Sequence, residues 1–340
     1  MPFLTAPSWQ DPARGPVTNA SVLSPLPAAS KTKKTWSGPT IAVRPEMLAT
    51  GDTRGPDFIC IGGQKAGTRW LFDQLDDHPQ FWMPPIKELH YFDLSDRFMK
   101  AATPIYERAK IGLPEANRKR KRANQRLITE EDVNWLEARF WLHGKPINLD
   151  EYARLFNPRG SRLSGDICPP YAIIPDERAR SVRDHFPNTT IIYLARDPIE
   201  RLWSQYCMNV RRFDRPNPTD LAQVRSFVEK GTGLRHSKIT DVLARWRTGP
   251  EDDRFRLYFF DDLKRDAQGL RRRIVNELGA DDVPPSTELP ADFNRKQKQA
   301  KVVMSDEVRA YLIPLFADEI RTLADEFGGP AVDWKNKHGL

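Results

Sequence analysis

The stretch DFICIGGQKAGTRW (57–70) constrains the fold more than any other. A short apolar run bounded by Pro56, Gly62 and Gly63 reads as a buried strand. Residues Thr68 to Asp77 read as a helix, with Trp70, Leu71, Gln74 and Leu75 at helical spacing and His78-Pro79 as the stop. A strand that turns through glycines into a helix offers unpaired N–H groups and a positive dipole end beyond the strand, which suits an anion. Gly62, Gly63 and Gly67 let the backbone fold tightly around oxygen atoms. The turn is a candidate phosphate cradle; an ordinary tight turn is the alternative.

The nucleotide-hydrolase pattern GxxxxGK[ST] fits only its glycines. Gly62 and Gly67 have the right spacing, but Thr68 stands where the lysine is expected and Arg69 where the magnesium-binding hydroxyl is expected. The loop's lysine is Lys65. An arginine at the metal-ligand position argues against a magnesium nucleotide and for an anion neutralised by protein cations alone.

Further along, TTIIYLA (189–195) is a β-branched buried strand, and 196–212 a helix capped by Asp197 with Pro198 in its first turn. FRLYFF (255–260) reads as a strand and 264–279 as a helix closed by Gly279. Helices are also expected at 129–144, capped by Thr129, at 148–156 and at 239–247. Residues 81–93 read as a short strand and a loop. Strands alternating with helices give an α/β chain, a P-loop-like three-layer fold with a central parallel sheet flanked by helices. Ligands of such sheets sit beyond the carboxyl ends of the strands, where Gly62–Arg69 and Arg196 both fall.

Two more stretches carry chemistry. KELHYFD (87–93) places the proton-transfer groups Glu88 and His90 in a loop, although for the stretch taken alone a surface Lys–Glu pair and a structural histidine are the favoured account. In RDPIERLWSQY (196–206), Arg196 at a strand end and Ser204 about two helical turns on form a candidate second anion clamp. Their alternatives are capping and helix packing.

Taken together, the three stretches resemble the sulfotransferases that use 3′-phosphoadenosine 5′-phosphosulfate (PAPS), and most of all the branch of the heparan sulfate sulfotransferases and their bacterial relatives. The family's KxGTR is matched by Lys65, Gly67, Thr68 and Arg69, its KExHFFD by KELHYFD, and its RxPxxRxxSxY by Arg196, Pro198, Arg201, Ser204 and Tyr206. GDICPPY (165–171) and FFDDL (259–263) resemble two weaker family motifs. The resemblance implies Glu88 as the base, Lys65 shielding the leaving oxygen and His90 in support. It implies Gly63, Gln64, Lys65, Ala66, Gly67, Thr68 and Arg69 around the 5′-phosphate and Arg196 and Ser204 around the 3′-phosphate. Arg295, Lys296 and Lys298 in a C-terminal basic loop would help hold the nucleotide. No metal is implied.

The chain has 340 residues, 39% hydrophobic and 29% charged, with a net charge of +7, which suits an anionic ligand without choosing one. Cys60, Cys168 and Cys207 include no CxxC, so free thiols and no structural zinc are expected. No apolar run of about 18 residues spans a membrane and no signal peptide stands out, which reads as cytoplasmic. A tail over 1–54, a sulfotransferase domain over 55–330 and a C-terminal tail over 331–340 are expected, with 94–150 a variable acceptor-side insertion. The expected partners are PAPS and an acceptor glycan or small molecule bearing a hydroxyl or amine. The rival readings are a P-loop kinase and a nucleic-acid binder using RKRKR (118–122). Nothing in the sequence fixes the acceptor or the oligomeric state.

Overall fold

The computed structural model describes residues 38–122, 125–212, 219–286 and 302–340. At its centre β1 (Phe58–Gly62) is buried along its whole length. An apolar run without alternation is what a strand covered on both faces requires. All pairings are parallel and the strand order is β2-β1-β3-β4, with β2 at Gly165–Ile167, β3 at Thr190–Ala195 and β4 at Phe255–Phe259. The carboxyl ends of β2, β1 and β3 therefore stand side by side.

From β1 the chain turns into α1 (Thr68–Asp76). Residues 94–150 form three helices, α2 (Arg97–Ile111), α3 (Leu113–Arg122) and α4 (Glu130–Trp141). Thr129 caps α4 as expected: its side chain accepts from the Asp132 amide, and the Asp132 carboxylate accepts in return from the Thr129 amide. The basic run 118–122 lies at the carboxyl end of α3, where the helix dipole favours cations. Trp135 and Phe140 of α4 are core residues. After α5 (Leu149–Arg154) come β2, α6 (Asp176–His185), β3 and α7 (Pro198–Arg212). The Asp197 cap of α7 holds: its Oδ1 accepts from the Ile199 and Glu200 amides.

Helices α8 (Leu221–Glu229), α9 (Thr232–Arg235) and α10 (Ile239–Trp246) lead to β4. The helix expected as one piece over 264–279 is two, α11 (Phe260–Arg265) and α12 (Ala267–Glu277). The break is at Asp266, whose side chain caps α12 through the Gly269 amide. Helix α13 (Asp306–Phe327) and α14 (Pro330–Lys337) close the fold. Residues 331–340, expected as a tail, depart from that expectation. Ala331, Trp334 and His338 are buried, and Lys337 and His338 both reach Asp197. Leu48 likewise enters the core from within the expected N-terminal tail.

Among the described residues no helix is long and apolar enough to cross a membrane. Cys60, Cys168 and Cys207 are free and buried.

Candidate active site

The glycine loop between β1 and α1 is fixed at both ends. The Gly63 amide donates to the Leu194 carbonyl of β3 at 2.8 Å, and the Ala66 amide closes a turn onto the Gly63 carbonyl. A Cβ at residue 63 would lie 2.9 Å from that same Leu194 oxygen, so the close approach demands glycine. Gly67 holds a φ of +95° at the amino end of α1, and a Cβ there would meet Leu263 at 2.6 Å. Lys65 has a φ of 69°, an unusual conformation for a residue with a side chain. Its ammonium approaches Met208 Sδ at 3.8 Å. Burial, then the charges of Arg196, Arg211 and Arg201, lower its pKa.

Arg196 follows β3 and donates from Nη1 to the Lys65 carbonyl at 2.7 Å. Its guanidinium stacks on the Phe260 ring, and Nε is buried without a hydrogen-bond partner among the described residues. It also lines a cavity of about 230 Å³ with Lys264, Trp334, Lys337 and the carboxylates of Asp197, Glu200, Asp261 and Asp333. Arg201 of the same motif is structural. It is buried and donates to Ser237, Gln205 and the Gly233 carbonyl. Ser204 is half-buried on α7. The Arg69 side chain pairs with Asp73 on α1 and leaves only its amide for the loop. Gln64 Oε1 is buried without a partner among the described residues, and Ala66 and Thr68 are buried. Arg295, Lys296 and Lys298 lie outside the described residues.

The second group is the loop 87–93 at the carboxyl end of β2. Glu88 Oε1 meets the Lys87 ammonium at 2.6 Å and Oε2 meets His90 Nε2 at 3.3 Å, while His90 Nδ1 contacts Asp93 at 2.8 Å. Glu88 is 34% exposed, against 7% for Lys87 and 2% for His90, so the carboxylate faces outward from two buried cationic supports. Burial pushes the Glu88 carboxyl up, but the hydrogen bond from His90 and the Lys87 ammonium outweigh it and hold it at about 2. Burial opposes charge on His90, yet Asp93 and Glu88 win and raise its pKa. Glu88 is thus a carboxylate and His90 is drawn toward the imidazolium.

An irregular buried loop needs partners for its backbone groups, and side chains supply them. The Leu89 amide donates to Asp166 at 3.4 Å, and the Leu89 carbonyl accepts from Arg139 Nε and Nη2. The Tyr91 amide donates to the Tyr171 hydroxyl, and the Phe92 carbonyl accepts from Arg178. Glu88, His90 and Leu94 all have positive φ, at 67°, 51° and 53°. These four side-chain anchors hold a strained path that points the carboxylate outward. Sequence reasoning gave no role to Asp93, Asp166, Arg139 and Arg178; Asp93, inside KELHYFD, and Asp166, inside GDICPPY, carried a local signal, and the two arginines carried none.

Among the described residues, His90, Asp93 and Cys168 bring possible metal-ligand atoms within 4.8 Å of one another. Burial raises the Cys168 pKa well above the usual thiol range, while on His90 burial is outweighed by Asp93 and Glu88, which raise its pKa.

The structure therefore sets a two-point cationic clamp at the ends of β1 and β3 and a supported carboxylate at the end of the adjacent β2. Residues 56–285 match the family described as the sulfotransferase family. The chain is 23% identical over 210 residues to sulfotransferase 2A1 of Rattus norvegicus, covering 61% of this chain and 70% of that protein. A sulfotransferase from Alicyclobacillus acidocaldarius superposes with a TM-score of 0.51 at 21% identity, covering 82% of this chain and 98% of the other.

Proposed function

Since the chain belongs to the sulfotransferase family, we propose that it moves a sulfuryl group from PAPS to a hydroxyl or amine of an acceptor, a carbohydrate among the candidates. The observation that carries this reading is the bond from Arg196 to the Lys65 carbonyl, which couples two anion sites at neighbouring strand ends. PAPS has two anionic ends, a 5′-phosphosulfate and a 3′-phosphate, and so calls for two such sites. The loop has Arg69 where a nucleotide hydrolase needs a magnesium ligand.

PAPS, when bound, supplies the sulfuryl group and a phosphate leaving group. The loop amides from Gln64 to Arg69, with the Thr68 hydroxyl, hold the 5′-phosphate. The Lys65 ammonium faces the oxygen between sulfur and phosphorus, where charge grows as the S–O bond breaks. Arg196 and Ser204 hold the 3′-phosphate, and Arg295, Lys296 and Lys298 belong to the same proposed nucleotide contact set. Glu88 takes the proton of the acceptor oxygen or nitrogen as that atom bonds to sulfur. His90 keeps Glu88 ionised and aimed. The catalytic unit spans 55–330.

Calorimetric titration with 3′-phosphoadenosine 5′-phosphate (PAP) without magnesium tests the reading, with ATP as control. Micromolar binding weakened by both Lys65→Ala and Arg196→Ala is expected, as is loss of transfer by about 10²–10⁴-fold in Glu88→Gln with PAP binding intact. No PAP binding, or preference for magnesium ATP, would overturn it.

A further inference from the structure

A cavity of about 400 Å³ opens beside His90, between the 87–93 loop and the turn after α4. That volume lies in the range of small-ligand sites and is too small for a long stretch of polymer. Its apolar wall includes Tyr91, Leu142 and Ile147. Its charged lining is lopsided. Arg139, Lys145 and Arg178 all face it, and none of the three makes an ion pair among the described residues. Among the described residues the one lining carboxylate, Asp96, sits 3.4 Å from His143.

Arg139 is buried and Arg178 half-buried, while Lys145 is exposed at the cavity rim. Arg139 is 2% exposed; it spends Nε and Nη2 on the Leu89 carbonyl and leaves Nη1 buried with no partner among the described residues. Arg139 lies over the Tyr91 and Phe98 rings and feels the charges of Asp166 and Asp93, but no carboxylate among the described residues reaches ion-pair distance, so an anion in the cavity would complete it. Among the described residues Arg178 hydrogen-bonds the Phe92 carbonyl and feels the charge of Asp93, and the Lys145 ammonium lies over the Trp141 ring. Supporting the loop explains two contacts of Arg139 and one of Arg178. It leaves the remaining donors and the positive sum of charge unanswered.

We infer that the acceptor enters this cavity and is recognised through an anionic group of its own, a carboxylate, phosphate or sulfate ester placed among Arg139, Lys145 and Arg178. The inference rests on the sulfotransferase reading. The acceptor is then a small acidic hydroxy or amino compound, or the acidic terminal unit of a larger one, with its apolar face on Tyr91 and Ile147. His90 lines the cavity and bonds Glu88, which is not itself a lining residue, so the cavity lies one side chain away from the proposed base.

The test is calorimetry on the full chain, free and saturated with PAP, using three matched pairs. They are glucuronate and glucuronamide, glucose 6-phosphate and glucose, and 4-hydroxyphenylacetate and its amide. The acid of at least one pair should bind at least about tenfold more tightly than its neutral partner. Lys145→Glu and Arg178→Ala should each erase that preference, and neither should weaken PAP. Which pair responds separates a carboxylate from a phosphate ligand. Equal binding within every pair, no binding of any acid, or a preference unchanged in both variants would overturn the inference while leaving PAP binding, and the sulfotransferase reading, standing. Acid binding in a protein that does not bind PAP would remove the acceptor role and the transfer reading together.

Discussion

Arg196 donates from Nη1 to the carbonyl oxygen of Lys65 at 2.7 Å, across 131 residues of sequence. One side chain thus shapes the loop after β1 and, in the proposed function, also serves the second anion clamp. Arg196→Ala should weaken PAP binding by about tenfold to a hundredfold, the worth of one charge-assisted hydrogen bond of about 1.5–3 kcal/mol. Arg196→Lys should recover little, because an ammonium cannot serve the carbonyl and the phosphate in the geometry of a planar fork. Calorimetry against PAP checks both.

His90 holds Glu88 low, so His90→Gln should raise the Glu88 pKa from about 2 toward its ordinary 4.5. In a pH–rate profile the acid limb of kcat/KM should move upward in the variant. Stability follows with a definite sign. The depressed Glu88 stabilises the wild type above pH 4.5 and loses that contribution as pH falls toward 2. His90, with a raised pKa, stabilises below its unfolded value of 6.5 and loses its contribution as pH climbs through the folded value. An acid limb that stays in place in His90→Gln would show that Lys87 alone sets Glu88.

Asp166 behaves in the opposite way. Burial first of all raises its pKa to about 6, despite hydrogen bonds from Tyr171, the Leu89 amide and Tyr152. A raised carboxyl destabilises the folded state as pH rises from 3.8 through about 6. Asp166→Asn keeps the shape and removes the ionisation, so the variant should be more stable at pH 7 by on the order of 2 kcal/mol. Urea denaturation at pH 7 and at pH 4 checks this, and the gain should shrink at the lower pH.

The buried pair His338–Asp197, at 2.9 Å, ties α14 to the cap of α7. Burial pushes Asp197 up, but His338 and Lys337 hold it below its usual range. His338→Ala strands a buried carboxylate and should cost about 3 kcal/mol, the lower end for a broken buried pair, since Lys337 remains at 3.2 Å. Thermal melts of the variant against Lys337→Ala, whose ammonium is more exposed, should rank the histidine change as the more damaging.

The sequence made parts of this legible for physical reasons. β1, α1, β3 and α7 announce themselves because a buried parallel strand is apolar throughout and a helix start needs a cap, here Gly67 or Asp197. β2 spans three residues, Gly165–Ile167, too few for any periodicity. Helix α2 carries Pro104 in its interior, where its ring is exposed, so the usual breaker signal misleads. The break at Asp266 hides between Leu263 and Leu270, both of which keep a core-facing pattern. In the site, Lys65, Glu88, His90 and Arg196 stand in compact motifs. Asp166 stands in the weaker motif GDICPPY, but Arg139, Arg178 and His338 act through bonds to residues distant in sequence, and such bonds leave no local pattern.

The sheet order has a consequence for how the chain is made. β1 lies between β2 and β3, so its first partner leaves the ribosome only after about 100 further residues, roughly 5–20 seconds of synthesis. During that interval Phe58, Ile59, Cys60 and Ile61, all fully buried in the finished fold, have no sheet to join. A nascent chain stalled between α1 and β2 would present the strand that later carries the phosphate loop as its most adhesive segment, and this is where trigger-factor-like holdases would be expected to grip.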